Sequence, residues 1–384
     1  MLTNGRSARA LLIGALAGLL IVAAGVLIGQ LAWSTLARAR IAPASGGVFG
    51  RLGYERPIGF RVAEAESAGA GPAAGGVAGS IVGKVDPGLV DINTELGLEG
   101  GAAAGTGMVV TANGEVITNN HVIAGATSIT ATDVGNGTTY KARVLGYDKS
   151  ADVAVLQLEG ASGLQTVSFG NSGSLAVGES VATIGNAGGL GGTPTARNGR
   201  VSALDQSITA SDAADGGEEH LSGLVELEGD VQAGDSGGPL VTSAGEVLGM
   251  DTAASSSFDF RSATDQGYAI PINTVKSVAA QILAGGASSA VHIGASALLG
   301  VYVSSTGSEG ALVEGLLVGT PVASSGLREG DTITGLDGTA VGSGSALTAL
   351  MAERHPGEAV TLTWRTPAGV QQGATVRLAS GPPQ

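Results

Sequence analysis

With 384 residues, 66 of them glycine and only 3% aromatic, the chain has room for two or three domains and favours strands and tight turns over long helices. Its formal net charge of −14 leaves no basic surface to neutralise phosphates, which argues against a nucleic-acid partner. Cysteine is absent, which excludes disulfides and Cys-based metal sites without settling the compartment.

Leu11 to Trp33 form an apolar run in which Gln30 is the one strongly polar residue. A spanning helix needs about 20 such residues, whereas the core of a cleaved signal peptide has about 7–15. Residues 1–36 therefore read as a short tail and an uncleaved transmembrane anchor, with Ala42-Pro43-Ala44 left open as a small-residue cleavage site. Arg6 and Arg9 precede the run and Arg38 and Arg40 follow it, so the charge bias gives no clean orientation. A short N-terminal tail stays inside easily and long following domains translocate regardless of charge, which favours the N-terminus in the cytoplasm. Residues 37–78 turn to Ala, Gly, Ser and Pro, as in Gly69-Ala70-Gly71-Pro72, and read as a tether.

From Leu89 onward, short apolar runs of strand type alternate with turn signals. Ala112-Asn113-Gly114, Gly135-Asn136-Gly137 and Ser243-Ala244-Gly245 each separate two such runs, and Asn-Gly between apolar runs is the strongest short-range hairpin signal. The spacing predicts an all-β sandwich or barrel. Asn273 to Leu283 then shows helical spacing through Val275, Val278 and Ile282, and stops at Gly285-Gly286.

Three stretches of this region carry chemistry. Thr118-Asn119-Asn120-His121 comes first, Ala151-Asp152-Val153 second, and Gly234-Asp235-Ser236-Gly237-Gly238 third. Glycines flanking Ser236 let the backbone turn sharply and leave its hydroxyl approachable. The same turn can direct the N–H groups of Gly234 and Ser236 into one small space, as an oxyanion hole requires. His121, Asp152 and Ser236 follow the chain order of the chymotrypsin triad. The bland readings are a satisfied histidine at a strand end for His121 and a turn cap after Lys149-Ser150 for Asp152. His220 falls in a polar stretch that reads as a loop.

Together with Thr106-Gly107-Met108, Gly170-Asn171-Ser172, Val177-Gly178 and Ile184-Gly185-Asn186, these stretches resemble the HtrA (Deg) serine proteases over roughly residues 79–380. The resemblance implies a mainly β chain: a chymotrypsin-like double β-barrel protease over 79–286, with its active site in the cleft, followed by an α+β PDZ domain over 291–381. It implies a membrane-tethered extracytoplasmic endopeptidase acting on unfolded or tagged proteins, needing no metal or organic cofactor. Members of the family often assemble as trimers, although no residue here specifies one. The rival from another class is a non-catalytic peptide-binding protein or chaperone on a silent protease fold, a role that would not require all three triad residues.

The substrate pocket is less determined. Asp230 lies six residues before Ser236, where trypsin-like enzymes place the carboxylate that selects Arg or Lys, and Thr252-Ala253-Ala254 forms the opposite wall. The tendency of aspartate to face solvent favours cleavage after small or medium aliphatic residues instead. Asp235 stands where the family usually has Asn. A zymogen-like pairing of Asp235 with a freed N-terminus near Ile81-Val82-Gly83 is the alternative to a local role for it. In the C-terminal region Leu299-Gly300-Val301 resembles a PDZ carboxylate-binding loop, and Gly319-Thr320-Pro321 and Gly326-Leu327-Arg328-Glu329-Gly330-Asp331 match the same pattern. Such a domain binds an extended peptide C-terminus by β-augmentation, with Ala346–Met351 across the groove. A structural cap without a ligand is the competing reading.

Overall fold

A computed structural model describes residues 77–98, 100–211, 218–229, 231–252, 266–304 and 309–383. The expected anchor and tether therefore lie outside the described residues, as do Asp230, Ala253 and Ala254. Among the described residues no helix is long and apolar enough to cross a membrane.

The first described element is a helix, α1 (Val77–Val85), where the sequence reads as the end of a tether. Local propensity does not explain it, but burial does. Ala78, Ile81 and Val85 fall on one face at helical spacing and are at most 4% exposed, in one apolar cluster with Leu89, Ala182, Val241 and Val247. Ile81 is thus a core residue in mid-helix in the uncleaved chain.

Two closed barrels follow. The strands β1 (Leu89–Leu96), β2 (Gly101–Val109), β3 (Glu115–Thr118), β4 (Ser128–Asp133), β5 (Thr139–Asp148) and β6 (Val153–Leu158) run in the order β5-β4-β1-β2-β3-β6, and β6 pairs back with β5. A one-turn helix, α2 (Asn120–Ile123), sits between β3 and β4 and carries His121. The expected turns are in place, with Gly114 at φ 87° and Gly137 at φ 71°. In β6 five of six residues are buried, because one face fills the barrel through Ala154, Leu156 and Leu158 while Val153 and Val155 face the cluster beneath α1.

The second barrel is built from β7 (Ser168–Phe169), β8 (Ser180–Gly185), β9 (Thr195–Ser211), β10 (Glu218–Glu228), β11 (Pro239–Val241), β12 (Glu246–Thr252) and β13 (Gln266–Pro271). Six of these close in the order β11-β8-β9-β10-β13-β12, with β12 pairing back to β11 and β7 lying beside β12. The β9–β10 ribbon extends beyond the barrel and places His220 in a strand, Nδ1 at 2.9 Å from Thr209 Oγ1, where a loop was expected. Helix α3 (Ile272–Leu283) closes the second barrel, burying Ile272, Val275, Ala279 and Ile282 in the cluster between the barrels, and the chain leaves it at Gly285 with φ 70°.

Beyond α3, β14 (Val291–Ile293) joins the rim of the first barrel by pairing with β5, Val291 opposite Asp148. A two-stranded sheet follows from β15 (Ser296–Leu298) and the last strand. Between them lie β16 (Val301–Val303), β17 (Ala311–Leu316), β18 (Thr332–Leu336), β19 (Thr339–Ala340), helix α4 (Gly344–Ala352), β20 (Ala359–Arg365) and β21 (Gln371–Arg377), before β22 (Ala379–Gly381). The sheet order β16-β17-β18-β20-β21 leaves β16 at an edge among the described residues. These elements share their own core of Leu299, Ile333, Leu336, Leu347, Val360, Leu362 and the fully buried Trp364. Helix α4 starts where Ser343 Oγ accepts the Ala346 N–H, an N-cap that satisfies one of the first-turn donors.

Candidate active site

His121 enters the site at the end of β3, on a helix too short to position it by itself. Asp152 supplies what the helix lacks. Its Oδ1 accepts the His121 backbone N–H at 3.0 Å, and its two oxygens lie 3.1 and 2.9 Å from His121 Nδ1. One carboxylate thereby holds both the main chain and the ring of the histidine. The ring keeps access to solvent, 31% exposed, while the carboxylate is 2% exposed.

Asp152 is held as firmly as it holds. It occupies the left-handed region at φ 52°, a conformation that Asp tolerates better than most residues, at the corner between β5 and β6. Its N–H donates to Lys149 O and its own carbonyl accepts Asn119 Nδ2 at 3.0 Å. The Thr252 hydroxyl donates to Asp152 Oδ2 at 3.1 Å. Thr252, expected on the wall of the substrate pocket, directs its hydroxyl at this carboxylate.

Ser236 is 4% exposed and sits at the head of β11, in a turn tied to the first barrel through Thr106. The Thr106 N–H donates to Ser236 O at 2.8 Å, and its hydroxyl donates to Gly234 O at 2.8 Å. The same hydroxyl accepts the Asn186 N–H at 2.8 Å, and the Thr106 carbonyl accepts Thr118 Oγ1 at 2.7 Å. Wholly buried Thr106 therefore connects the serine turn, the end of β8 and the strand leading to His121. Glycine is required beside it at 105: a Cβ there would stand 2.7 Å from the Val122 methyls and 3.2 Å from Ser236 O. The residue after His121 and the main chain of Ser236 thus converge on a point with no room for a side chain.

Gly234 turns at φ 96°, and among the described residues nothing accepts its N–H. Behind the turn, Asp235 is 1% exposed and pairs with Arg197, Nη1 to Oδ2 at 2.8 Å, while also accepting the Gln232 N–H at 2.9 Å. In the uncleaved chain Arg197 of β9 is thus a partner of Asp235. Next to it Asp251 is completely buried. Burial, and secondarily the charge of Asp235, holds its carboxyl well above the usual carboxylate range.

In the C-terminal sheet, Leu299 is 5% exposed, Gly300 is left-handed at φ 84° and accepts the Leu317 N–H, and Val301 opens the edge strand β16. The sequence carries no local signal for these contacts of Thr106, Thr252 and Arg197, since their partners lie 128, 100 and 38 positions away.

Residues 105–250, which span His121, Asp152 and Ser236, match the trypsin-like peptidase domain. The chain is 32% identical over 375 residues to serine protease PepD of Mycobacterium tuberculosis, covering 91% of this chain and 78% of that one. It is 31% identical over 269 residues to the periplasmic serine endoprotease DegP of Escherichia coli, covering 68% of this chain and 54% of that one. Among solved structures, an HtrA-type protease AlgW with tripeptide is 26% identical at a TM-score of 0.46, over 80% of this chain and 98% of that one.

Proposed function

The chain belongs to the HtrA-type serine proteases, and on that premise we propose that His121, Asp152 and Ser236 are its catalytic triad. The observation that carries this reading is the double grip of Asp152 on the main chain and ring of His121, beside a serine turn fastened to the same barrel. His121 takes the proton of Ser236 as Oγ attacks the scissile carbonyl, and returns it to the leaving amine. Asp152 fixes the tautomer with Nδ1–H directed at its carboxylate and stabilises the imidazolium, with Thr252 orienting it. The N–H groups of Gly234 and Ser236 receive the oxyanion, each such donor contributing roughly 10²–10³ in rate. No cofactor enters this scheme. The barrel pair constitutes a chymotrypsin-like protease domain over 79–286.

Residues 291–381 form a PDZ domain that captures peptide C-termini. The open edge of β16 and the left-handed Gly300 ahead of it support that reading, because an extended peptide can add to such an edge. Protein substrates are unfolded or tagged chains, cleaved after small or medium aliphatic residues. The apolar run 11–33 tethers the enzyme to the membrane with the protease on the extracytoplasmic side. Hydrolysis of casein tests the catalytic reading: the wild type should degrade it and Ser236→Ala should not, at unchanged melting temperature. Equal turnover by the two would remove Ser236 from the mechanism.

A further inference from the structure

Asp91 is a buried acid that the mechanism above leaves unused. It lies on β1, 2% exposed, directly opposite Thr106 in the β1–β2 register, so the two side chains share one strand face. Its Oδ2 accepts the Gly192 N–H at 2.8 Å. Burial pushes this carboxyl up, and the bond from Gly192 pulls it back toward the ionised form.

Gly192 ends a glycine-rich loop whose one close packing contact to β2 is at Gly189, where a Cβ would stand 2.6 Å from Ala104 Cβ. Gly188, Gly189, Gly191 and Gly192 all have left-handed φ between 66° and 96°, and the one large side chain, Leu190, is 83% exposed. Hydrogen bonds also fix the loop: Gly192 to Asp91, Gly191 to Asn186 Oδ1 at 2.8 Å, Gly189 N–H to Asn186 O at 2.8 Å, and Gly188 N–H to Ala233 O at 2.7 Å. The last bond reaches the catalytic turn. A trans peptide points its C=O and N–H in opposite directions. Drawing the Ala233 carbonyl toward Gly188 therefore sends the Gly234 N–H away from the loop.

We propose that Asp91 is a positioning residue for proteolysis: by holding Gly192 it keeps the 187–192 loop, and through Gly188 the 233–234 peptide, in the orientation that presents the Gly234 N–H to the oxyanion. This rests on the reading of Gly234 as an oxyanion donor. Without the latch, four glycines with no buried side chain among them have many alternative conformations, and the 233–234 peptide loses its restraint.

The test uses the full chain with Asp91→Leu, which fills the site without an acceptor, and Asp91→Asn, whose amide oxygen accepts the same bond. For a peptide substrate, Asp91→Leu should lower kcat by roughly 10- to 100-fold, a large part of what one oxyanion donor contributes, with KM near the wild-type value. Asp91→Asn should restore most of kcat. Wild-type kcat in Asp91→Leu, a loss confined to KM, or equal impairment of both variants would overturn the proposal. Amide hydrogen exchange in the unmodified protein decides the case even if Asp91→Leu does not fold: Gly192 should be protected, and exchange at the rate of a free amide would refute the latch. Phosphonylation of Ser236 should slow exchange at Gly234. A Gly234 amide indifferent to it would refute the oxyanion assignment and not the latch.

Discussion

Replacing Arg197 by methionine isolates the ion pair behind the catalytic turn. Methionine keeps most of the apolar stem and removes the charge that faces Asp235 at 2.8 Å. The Asp235 carboxylate, 1% exposed, then retains the Gln232 N–H but not its cation, next to the fully buried Asp251. Breaking a buried pair from one side costs about 3–5 kcal/mol, because a charge is left without compensation. Arg197 itself is 21% exposed, so part of the attraction is screened by water and the lower end, about 3 kcal/mol, applies. With a urea m-value of about 3 kcal/mol/M, that loss moves the unfolding midpoint down by about 1 M. The assay is urea unfolding followed by far-ultraviolet circular dichroism, in a Ser236→Ala background to prevent self-digestion. The double variant Arg197→Met/Asp235→Asn removes both charges of the pair and should recover most of the loss, a coupling of about 2–3 kcal/mol in the cycle. A cost below 1 kcal/mol for Arg197→Met, or a double variant as unstable as the two single losses added, would refute the reasoning.

Thr252→Val removes the hydroxyl that donates to Asp152 Oδ2. A hydrogen bond to a charged group contributes about 1.5–3 kcal/mol, so kcat should fall by about tenfold or more with KM little changed, and an unchanged kcat would contradict an orienting role. Burial raises the Asp86 carboxyl to about 6 from 3.8, so between these values the folded chain binds a proton that the unfolded chain has released, and stability falls as pH rises through that window. Asp86→Asn should therefore raise the melting temperature at pH 7 and flatten its dependence between pH 4 and 6; a variant that melts lower at pH 7 would contradict this. Full-length Ser236→Ala should bind a peptide ending in an apolar residue as its free acid and much more weakly as its amide, and equal affinities would rule out carboxylate capture at Gly300.

What the sequence made legible was local. Asn113-Gly114 and Gly135-Asn136-Gly137 specify their turns through residues that adopt left-handed conformations in place, and the period from Val275 to Ile282 marks α3 through its own buried face. Helix α1 was not legible, since its Ala/Gly/Val composition becomes helical by packing Ile81 and Val85 against strands far along the chain. The same limit applies within the site. His121, Asp152 and Ser236 stand in recognisable settings, but the residues that position them do so through partners remote in sequence. Thr106 belongs to a stretch the family resemblance picked out, yet nothing beside it announces that its hydroxyl joins Gly234 to Asn186. Asp235 reads in isolation as a trypsin-like feature, and only the β8–β9 pairing brings Arg197 to it.

The central claim, that Ser236 is a nucleophile activated by His121, is tested most directly by fluorophosphonate labelling followed by mass spectrometry of the digested protein. The wild type should carry a single adduct on the peptide containing Ser236. Ser236→Ala should carry none, and His121→Ala should label far more slowly although its serine is intact, because the base that takes the Oγ proton is gone. An adduct on another residue of the active enzyme, or labelling of His121→Ala at the wild-type rate, would contradict the account.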